Sequence, residues 1–241
     1  MTELRYLPDA DDVTTFSATV VETGRDSVFL DGTYFYPEGG GQPADRGVLE
    51  WDGGVADVTD VQKDHGEVRH DVDWEGDLPP AGTTVEGRID ERRRQRLRRM
   101  HTAQHVVSRV VLEAFDASTA GNRIYPDRSR IDFEPASFDD ADLERIERRT
   151  NEAIERDLPV RKENRPRATV EESVDEGRAP LELIPDSVDP LRVVEIERFD
   201  TCPCGGTHVS SLGEIGRVTI TDHVSKGADA DRIEFELGDG S

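Results

Sequence analysis

Residues 90–115 contain neither proline nor glycine, and their apolar side chains recur at helical spacing. Side chains three or four residues apart lie on one face of a helix, so the pattern predicts one long helix with a buried face. The rest of the fold has to be built around this helix, which separates two dissimilar parts of the chain. The apolar positions are Leu97, Val106, Val107, Val110, Val111 and Phe115.

The part before the helix consists of short segments in which apolar and polar residues alternate, separated by turn residues. Alternation with a period of two is typical of strands with one buried face. Many short strands joined by tight turns predict a small antiparallel barrel or curled sheet. The predicted strands are residues 13–22, 27–36, 47–51, 55–62, 67–72 and 83–89.

The part after the helix mixes helical and extended patterns. We therefore predict an α+β protein, with a β-barrel-like domain at 1–88 and an α+β domain at 89–241. The predicted elements are a turn at 121–126, a strand at 129–134, a helix at 140–157, an extended segment at 159–167, a short helix at 169–175, and strands at 191–197, 216–222 and 231–237.

The charge of the chain is unusual. The net charge is -23, and only Lys63, Lys162 and Lys226 are lysines among the 30 basic residues. Excess carboxylates with few lysines favour a halophilic protein, kept soluble where salt screens surface charge, over a generic acidic protein. No apolar run is long enough to span a bilayer and no signal peptide is indicated, so we expect a cytoplasmic protein without a membrane partner.

Two short motifs, a hundred residues apart, offer a set of metal ligands. His101 and His105 lie four residues apart in the predicted helix, so both imidazoles face the same side. Cys204 and His208 are separated by a segment with two glycines, which lets the backbone turn tightly. Three nitrogens and one sulfur suit tetrahedral Zn²⁺. Cys202 is an alternative thiolate ligand.

The other three histidines, His65, His70 and His223, have no such context and are predicted to be ordinary surface residues.

These motifs, together with a glycine-rich segment, resemble the alanyl-tRNA editing family, which comprises the editing domain of alanyl-tRNA synthetase and its free-standing relatives. Because the chain carries both the glycine-rich segment and the zinc motifs, it is similar to the medium-length free-standing form. The resemblance implies a barrel-like N-terminal domain followed by an α+β zinc-binding editing domain. The matching segments are residues 35–43, 100–105, 130–133, 204–209 and 213–216.

The activity that the resemblance implies is hydrolysis of mischarged Ser-tRNA(Ala), with glycine as a second misacyl group. The partner would be tRNA(Ala) carrying a wrong amino acid. Two alternatives stay open: editing of another tRNA such as Ser-tRNA(Thr), and a non-catalytic zinc-stabilised RNA-binding protein. Catalytic zinc usually has three protein ligands and an open position, whereas four are present here, so a structural zinc is also open.

Discrimination between seryl and alanyl esters predicts a polar side chain that pairs with the serine hydroxyl. Thr102 and Gln104 stand beside the ligands, and the family pattern points to the residue two before Gly121, which is Thr119. The alternative for each is an ordinary capping or surface residue.

Two further groups complete the candidate site. Gly39, Gly40, Gly41 and Gln42 lack the Gly-Lys-Ser/Thr ending of a nucleotide-binding loop, so we expect an interface loop or a loop at the tRNA end. Arginines cluster before the first metal motif, and we expect RNA contacts there, with a solvated helix face as the alternative. These are Arg92, Arg93, Arg96 and Arg99.

Overall fold

The computed structural model describes residues 1–179, 181–227 and 229–238. The chain divides into two compact units, Met1–Gln95 and Arg96–Ser241. The division falls inside a long helix, whereas the sequence analysis placed it just before that helix. The α+β class predicted from the sequence is confirmed.

The first unit contains a closed antiparallel barrel of six strands in the order β2-β3-β7-β6-β5-β8, which confirms the predicted barrel. Two short strands, β1 and β4, pair in parallel in the same unit. The strands are β1 (Glu3–Leu4), β2 (Thr15–Thr23), β3 (Ser27–Leu30), β4 (Gly32–Thr33), β5 (Gly47–Trp51), β6 (Gly54–Asp64), β7 (Glu67–Trp74) and β8 (Thr84–Ile89).

The barrel interior follows from the alternation along its strands. On β8, Val85, Gly87 and Ile89 are buried and the residues between them are exposed. Gly87 lies opposite Phe16 of β2, and a Cβ at this glycine would come within 2.5 Å of the Phe16 ring. Glycine at this position therefore gives the aromatic ring its space in the core.

His70 corrects one prediction, because it is completely buried in the first unit instead of lying on the surface. Its Nδ1 lies 3.1 Å from the Val28 carbonyl oxygen, and its Nε2 lies 2.9 Å from the Thr33 hydroxyl. A ring that donates from Nδ1 to the carbonyl accepts from Thr33 at Nε2 and is neutral. Burial lowers the pKa of His70 from 6.5 to about 4.

The second unit holds most of α1 and two sheets, with strand orders β14-β15-β10-β9 and β11-β12-β13. One apolar core joins α1, α2 and the four-stranded sheet, and includes Val107, Phe133, Ile146 and Phe235. The elements are α1 (Glu91–Phe115), β9 (Ser118–Ile124), β10 (Arg128–Glu134), α2 (Asp140–Glu155), β11 (Val160–Arg165), α3 (Arg167–Ser173), β12 (Leu191–Ile196), β13 (Asp200–Pro203), β14 (Val218–Gly227) and β15 (Ala230–Leu237).

Helix α2 begins where its sequence provides a capping box. The Asp139 side chain accepts from the backbone N–H of Asp142, and the Asp142 side chain accepts from the backbone N–H of Asp139. These bonds satisfy donors that the first helical turn leaves free.

In the second unit, β9 and β13 depart clearly from the sequence prediction. The segment predicted as a turn at 121–126 lies mostly in β9, and β13 was not predicted at all. β13 matters for the site because it leads directly into the loop that carries Cys204 and His208.

Candidate metal centre

The second unit brings together the four side chains predicted to bind a metal. The ligand atoms of His101, His105, Cys204 and His208 all lie within 4.8 Å of one another. Cys204 Sγ lies 3.5 Å from His101 Nε2 and 3.4 Å from His208 Nε2. The three imidazoles are buried and the cysteine is half-buried, so the cluster is largely shielded from water.

The electrostatics of the cluster suit a cation. Burial alone would raise the pKa of the Cys204 thiol, but His101 and His208 lower it well below its usual value. Burial lowers the pKa of His208 well below its usual value. Thiolate and neutral imidazole are the forms that bind a metal, so the donor set fits Zn²⁺.

His105 differs from His208. Burial disfavours its charged form, yet hydrogen bonds to Asp200 and Cys204 raise its pKa overall. A metal ion bound by both His105 and Cys204 would replace the proton of the hydrogen bond between these two side chains.

Thr102 orients the ring of His208. The Thr102 hydroxyl donates to the Arg98 carbonyl oxygen at 2.9 Å and accepts the Val209 N–H at 3.2 Å. His208 Nδ1 lies 3.2 Å from the same oxygen. Since the single hydroxyl proton is already donated, His208 donates from Nδ1 and keeps the lone pair on Nε2, which faces Cys204.

Two arginines hold the loop between Cys204 and His208 by its backbone carbonyls. Arg192 donates from Nη1 to the carbonyl oxygens of Cys204 and Gly206, at 2.7 and 2.8 Å. Arg98 donates from Nε to the carbonyl oxygen of His208 at 2.7 Å. The sequence analysis assigned no role to Arg192, whose partners come from a strand pairing that no motif reveals.

The two other pocket candidates each contact one polar side chain. Gln104 is buried, and its Oε1 accepts from Asn122 Nδ2 at 3.1 Å. Among the described residues, its Nε2 has no hydrogen-bond acceptor. Thr119 donates to Ser108 Oγ at 2.9 Å. Asn122 was not identified from the sequence, because it lies on the strand that was predicted as a turn.

Cys202 lies outside the group of ligand atoms. It is buried on β13, and burial raises the pKa of its thiol to about 12. A thiol that stays protonated is a poor metal ligand.

The glycine-rich loop lies in the first unit and forms a tight turn. Gly39 and Gln42 pair through both backbone hydrogen bonds, with Gly40 and Gly41 at φ of 56° and 82°. Residues other than glycine rarely adopt such φ values, so glycine is favoured at both central positions of the turn. Gly40 is exposed and Gln42 is buried.

The four predicted RNA-binding arginines fall into two classes. Arg93 donates to the Ala44 carbonyl oxygen, and Arg99 donates to the carbonyl oxygens of Ile215 and Gly238. Arg92 and Arg96 are exposed and four residues apart on α1. Of these four residues, Arg92 and Arg96 are exposed, whereas Arg93 and Arg99 are half-buried.

Within the described ranges, no helix combines the length and apolar character required to cross a membrane.

Comparison with protein families gives two partial matches. Residues 9–93 match the family described as tRNA synthetases class II (A). Residues 191–234, which include Cys204 and His208, match the threonyl and alanyl tRNA synthetase second additional domain.

Individual relatives match nearly the whole chain. The alanine–tRNA ligase of Methanopyrus kandleri is 40% identical over 100% of this chain, which spans 26% of that ligase. The alanyl-tRNA editing protein AlaX-L of Pyrococcus horikoshii is 36% identical over 90% of this chain and 52% of its own length. The alanyl-tRNA editing protein AlaX-M of Methanosarcina barkeri is 38% identical over 99% of this chain and 100% of its own length. The chain therefore belongs to the family of AlaX-M alanyl-tRNA editing proteins.

Proposed function

We propose that this protein is a trans-acting editing hydrolase that cleaves the aminoacyl ester of mischarged Ser-tRNA(Ala), with Gly-tRNA(Ala) as a second substrate. The observation that carries the proposal is the largely buried cluster of three imidazoles and one thiolate. Gln104, which precedes His105 in the sequence, adds a buried amide donor with no acceptor among the described residues. The full-length similarity to an alanyl-tRNA editing protein supports it.

His101, His105, Cys204 and His208 would hold Zn²⁺. The ion would supply a Lewis acid that orients the ester or polarises its carbonyl. Thr102 fixes the tautomer of His208 through Nδ1, so that the lone pair on Nε2 faces Cys204 and is available to the ion. Among the four ligands Cys204 is the least buried residue, so we place the approach of the substrate on its side of the cluster.

Gln104 is the side chain that we assign to the serine hydroxyl. Its Oε1 is occupied by Asn122, which fixes the orientation of the amide and leaves Nε2 as a buried donor. An unpaired buried donor costs about 1–3 kcal/mol. A seryl hydroxyl can accept from this donor, whereas an alanyl methyl group cannot. The donor therefore stays unpaired when the alanyl ester binds, and this ester binds more weakly. Thr119 is assigned to the same pocket.

The tRNA is bound by exposed basic groups in a chain whose surface is mostly acidic. We assign Arg92 and Arg96 to phosphate contacts, because both are exposed basic residues. Such contacts weaken as salt rises, so in concentrated salt the affinity must depend more on shape and hydrogen bonding.

The test uses the zinc-loaded protein in high salt with Ser-tRNA(Ala), Ala-tRNA(Ala) and Ser-tRNA(Thr), and follows release of the amino acid. We expect rapid loss of serine from tRNA(Ala) and retention of alanine. Faster release from Ser-tRNA(Thr) would reassign the substrate. Binding of tRNA without release from any of the three would leave a non-catalytic RNA-binding protein.

A matched pair of variants tests the pocket. Gln104→Met removes the amide donor at similar volume, and we expect it to reduce the preference for seryl over alanyl ester. Gln95→Met makes the same change at an exposed position of α1 and should leave the preference unchanged. Equal preference in both variants would remove Gln104 from the recognition site.

A further inference from the structure

A buried ion pair lies directly behind His105. Arg178 donates from Nε to Asp200 Oδ1 at 2.6 Å and from Nη2 to Asp200 Oδ2 at 2.5 Å. Both side chains are almost fully buried. His105 Nδ1 lies 3.3 Å from Arg178 Nη2 and 3.7 Å from Asp200 Oδ2. The pair therefore meets the edge of the imidazole that carries Nδ1.

Stability alone is a poor reason for such a pair. Desolvation of two charges offsets most of their attraction, and apolar side chains of similar volume often stabilise a core equally well. The contact between this ion pair and His105 therefore suggests that the pair acts on the imidazole ring.

The proton on Nδ1 decides what His105 can do. If Arg178 donated to an unprotonated Nδ1, the proton of the neutral ring would be on Nε2, and no lone pair would remain there for a metal. If Nδ1 carries the proton, Asp200 Oδ2 is the group of this ion pair that can accept from it, since a guanidinium cannot accept. The 3.7 Å between these atoms is an ion-pair contact, which would shorten to a hydrogen bond in the metal-bound arrangement. A carboxylate behind a ligating histidine fixes the ring orientation and its tautomer.

Arg178 has a distinct part in this arrangement. Its two parallel hydrogen bonds fix the plane of the Asp200 carboxylate. The guanidinium also compensates the negative charge of this buried carboxylate. The carboxylate in turn offsets the repulsion between Arg178 and a cation bound at Nε2 of His105.

We propose that Asp200, held by Arg178, is a positioning residue that sets the orientation and tautomer of His105 for metal binding. The inference rests on the proposed function, since it concerns the same metal centre. Neither residue touches the substrate in this role, and both act through His105.

The test measures metal affinity apart from activity. Zinc binding to the whole protein is measured by competition with a chromophoric chelator, and Co²⁺ binding by its visible absorption. Asp200→Asn removes the charge at nearly constant volume, and we expect it to lower zinc affinity by about 10- to 100-fold and to change the Co²⁺ spectrum. Arg178→Lys keeps the positive charge but cannot form the bidentate pair, and should lower the affinity less.

Asp45→Asn is the matched control. Asp45 forms an equally buried pair with Arg94 in the first unit, so the substitution destabilises the protein without altering a ligand. Zinc affinity should remain unchanged in this variant. If Asp200→Asn and Arg178→Lys bind zinc and Co²⁺ like the control, the positioning role is wrong. A wild-type protein that binds zinc but releases no amino acid contradicts the proposed function and leaves this inference standing.

Discussion

Lowering the pH should destabilise the first unit through His70, whose neutral ring is locked between Val28 and Thr33. The folded-state pKa of about 4 lies below the usual 6.5, so the unfolded chain binds more protons between these values. The contribution of His70 is complete above pH 6.5 and is lost as the pH falls towards 4. One pKa unit corresponds to about 1.4 kcal/mol, so the whole shift is worth about 3 kcal/mol. At about pH 5 we expect a loss of about 2 kcal/mol.

Both tryptophans of the sequence, Trp51 and Trp74, pack against the barrel core, so fluorescence during urea unfolding reports on this unit. The reference is His70→Asn, which keeps an amide donor near Val28 but does not titrate. Carboxylates contribute equally to both proteins, so the free energy of unfolding of the wild type should fall by about 2 kcal/mol more than that of the variant between about pH 7.5 and 5. Parallel pH dependence of the two proteins would show that the burial of His70 does not control its protonation.

The ligand set, the exposed arginines and the net charge each give a further prediction. Cys204→Ser should abolish tight zinc binding, whereas Cys202→Ser should retain it, because only Cys204 lies in the ligand group; equal zinc content in both would reverse the assignment. The double variant Arg92→Gln, Arg96→Gln should weaken tRNA binding. It should also reduce the slope of log affinity against log salt concentration by about 1 for each phosphate that is no longer neutralised. Arg148→Gln, at an exposed position of α2, should change neither quantity, and anisotropy titrations at several KCl concentrations measure both. The unfolding midpoint should rise between about 0.1 and 1 M KCl, where the Debye length falls from about 10 to 3 Å, because the net charge is -23; a midpoint that falls would argue against a halophilic protein.

The sequence predicted the cluster because its ligands lie in two short motifs with unambiguous spacing. It could not predict Asp200 and Arg178, which reach His105 from separate places along the chain through tertiary contacts alone. Asn122 was missed for a local reason, since Gly121 beside it favoured a turn over β9. His70 could have been identified: it is in phase with Val68 and Val72 on the buried face of β7, but its polarity outweighed that pattern in the prediction.

The loop that carries Cys204 and His208 is held by arginines whose acceptors are uncharged backbone carbonyls. Hydrogen bonds to such acceptors vary less with ionic strength and pH than ion pairs between exposed side chains. The charge of the surface can therefore change without disturbing the hydrogen bonds that hold this loop. Exchanging exposed carboxylates for lysines should therefore lower the negative charge of the surface while His101, His105, Cys204 and His208 keep their places, so that surface charge can be changed without rebuilding the candidate metal centre.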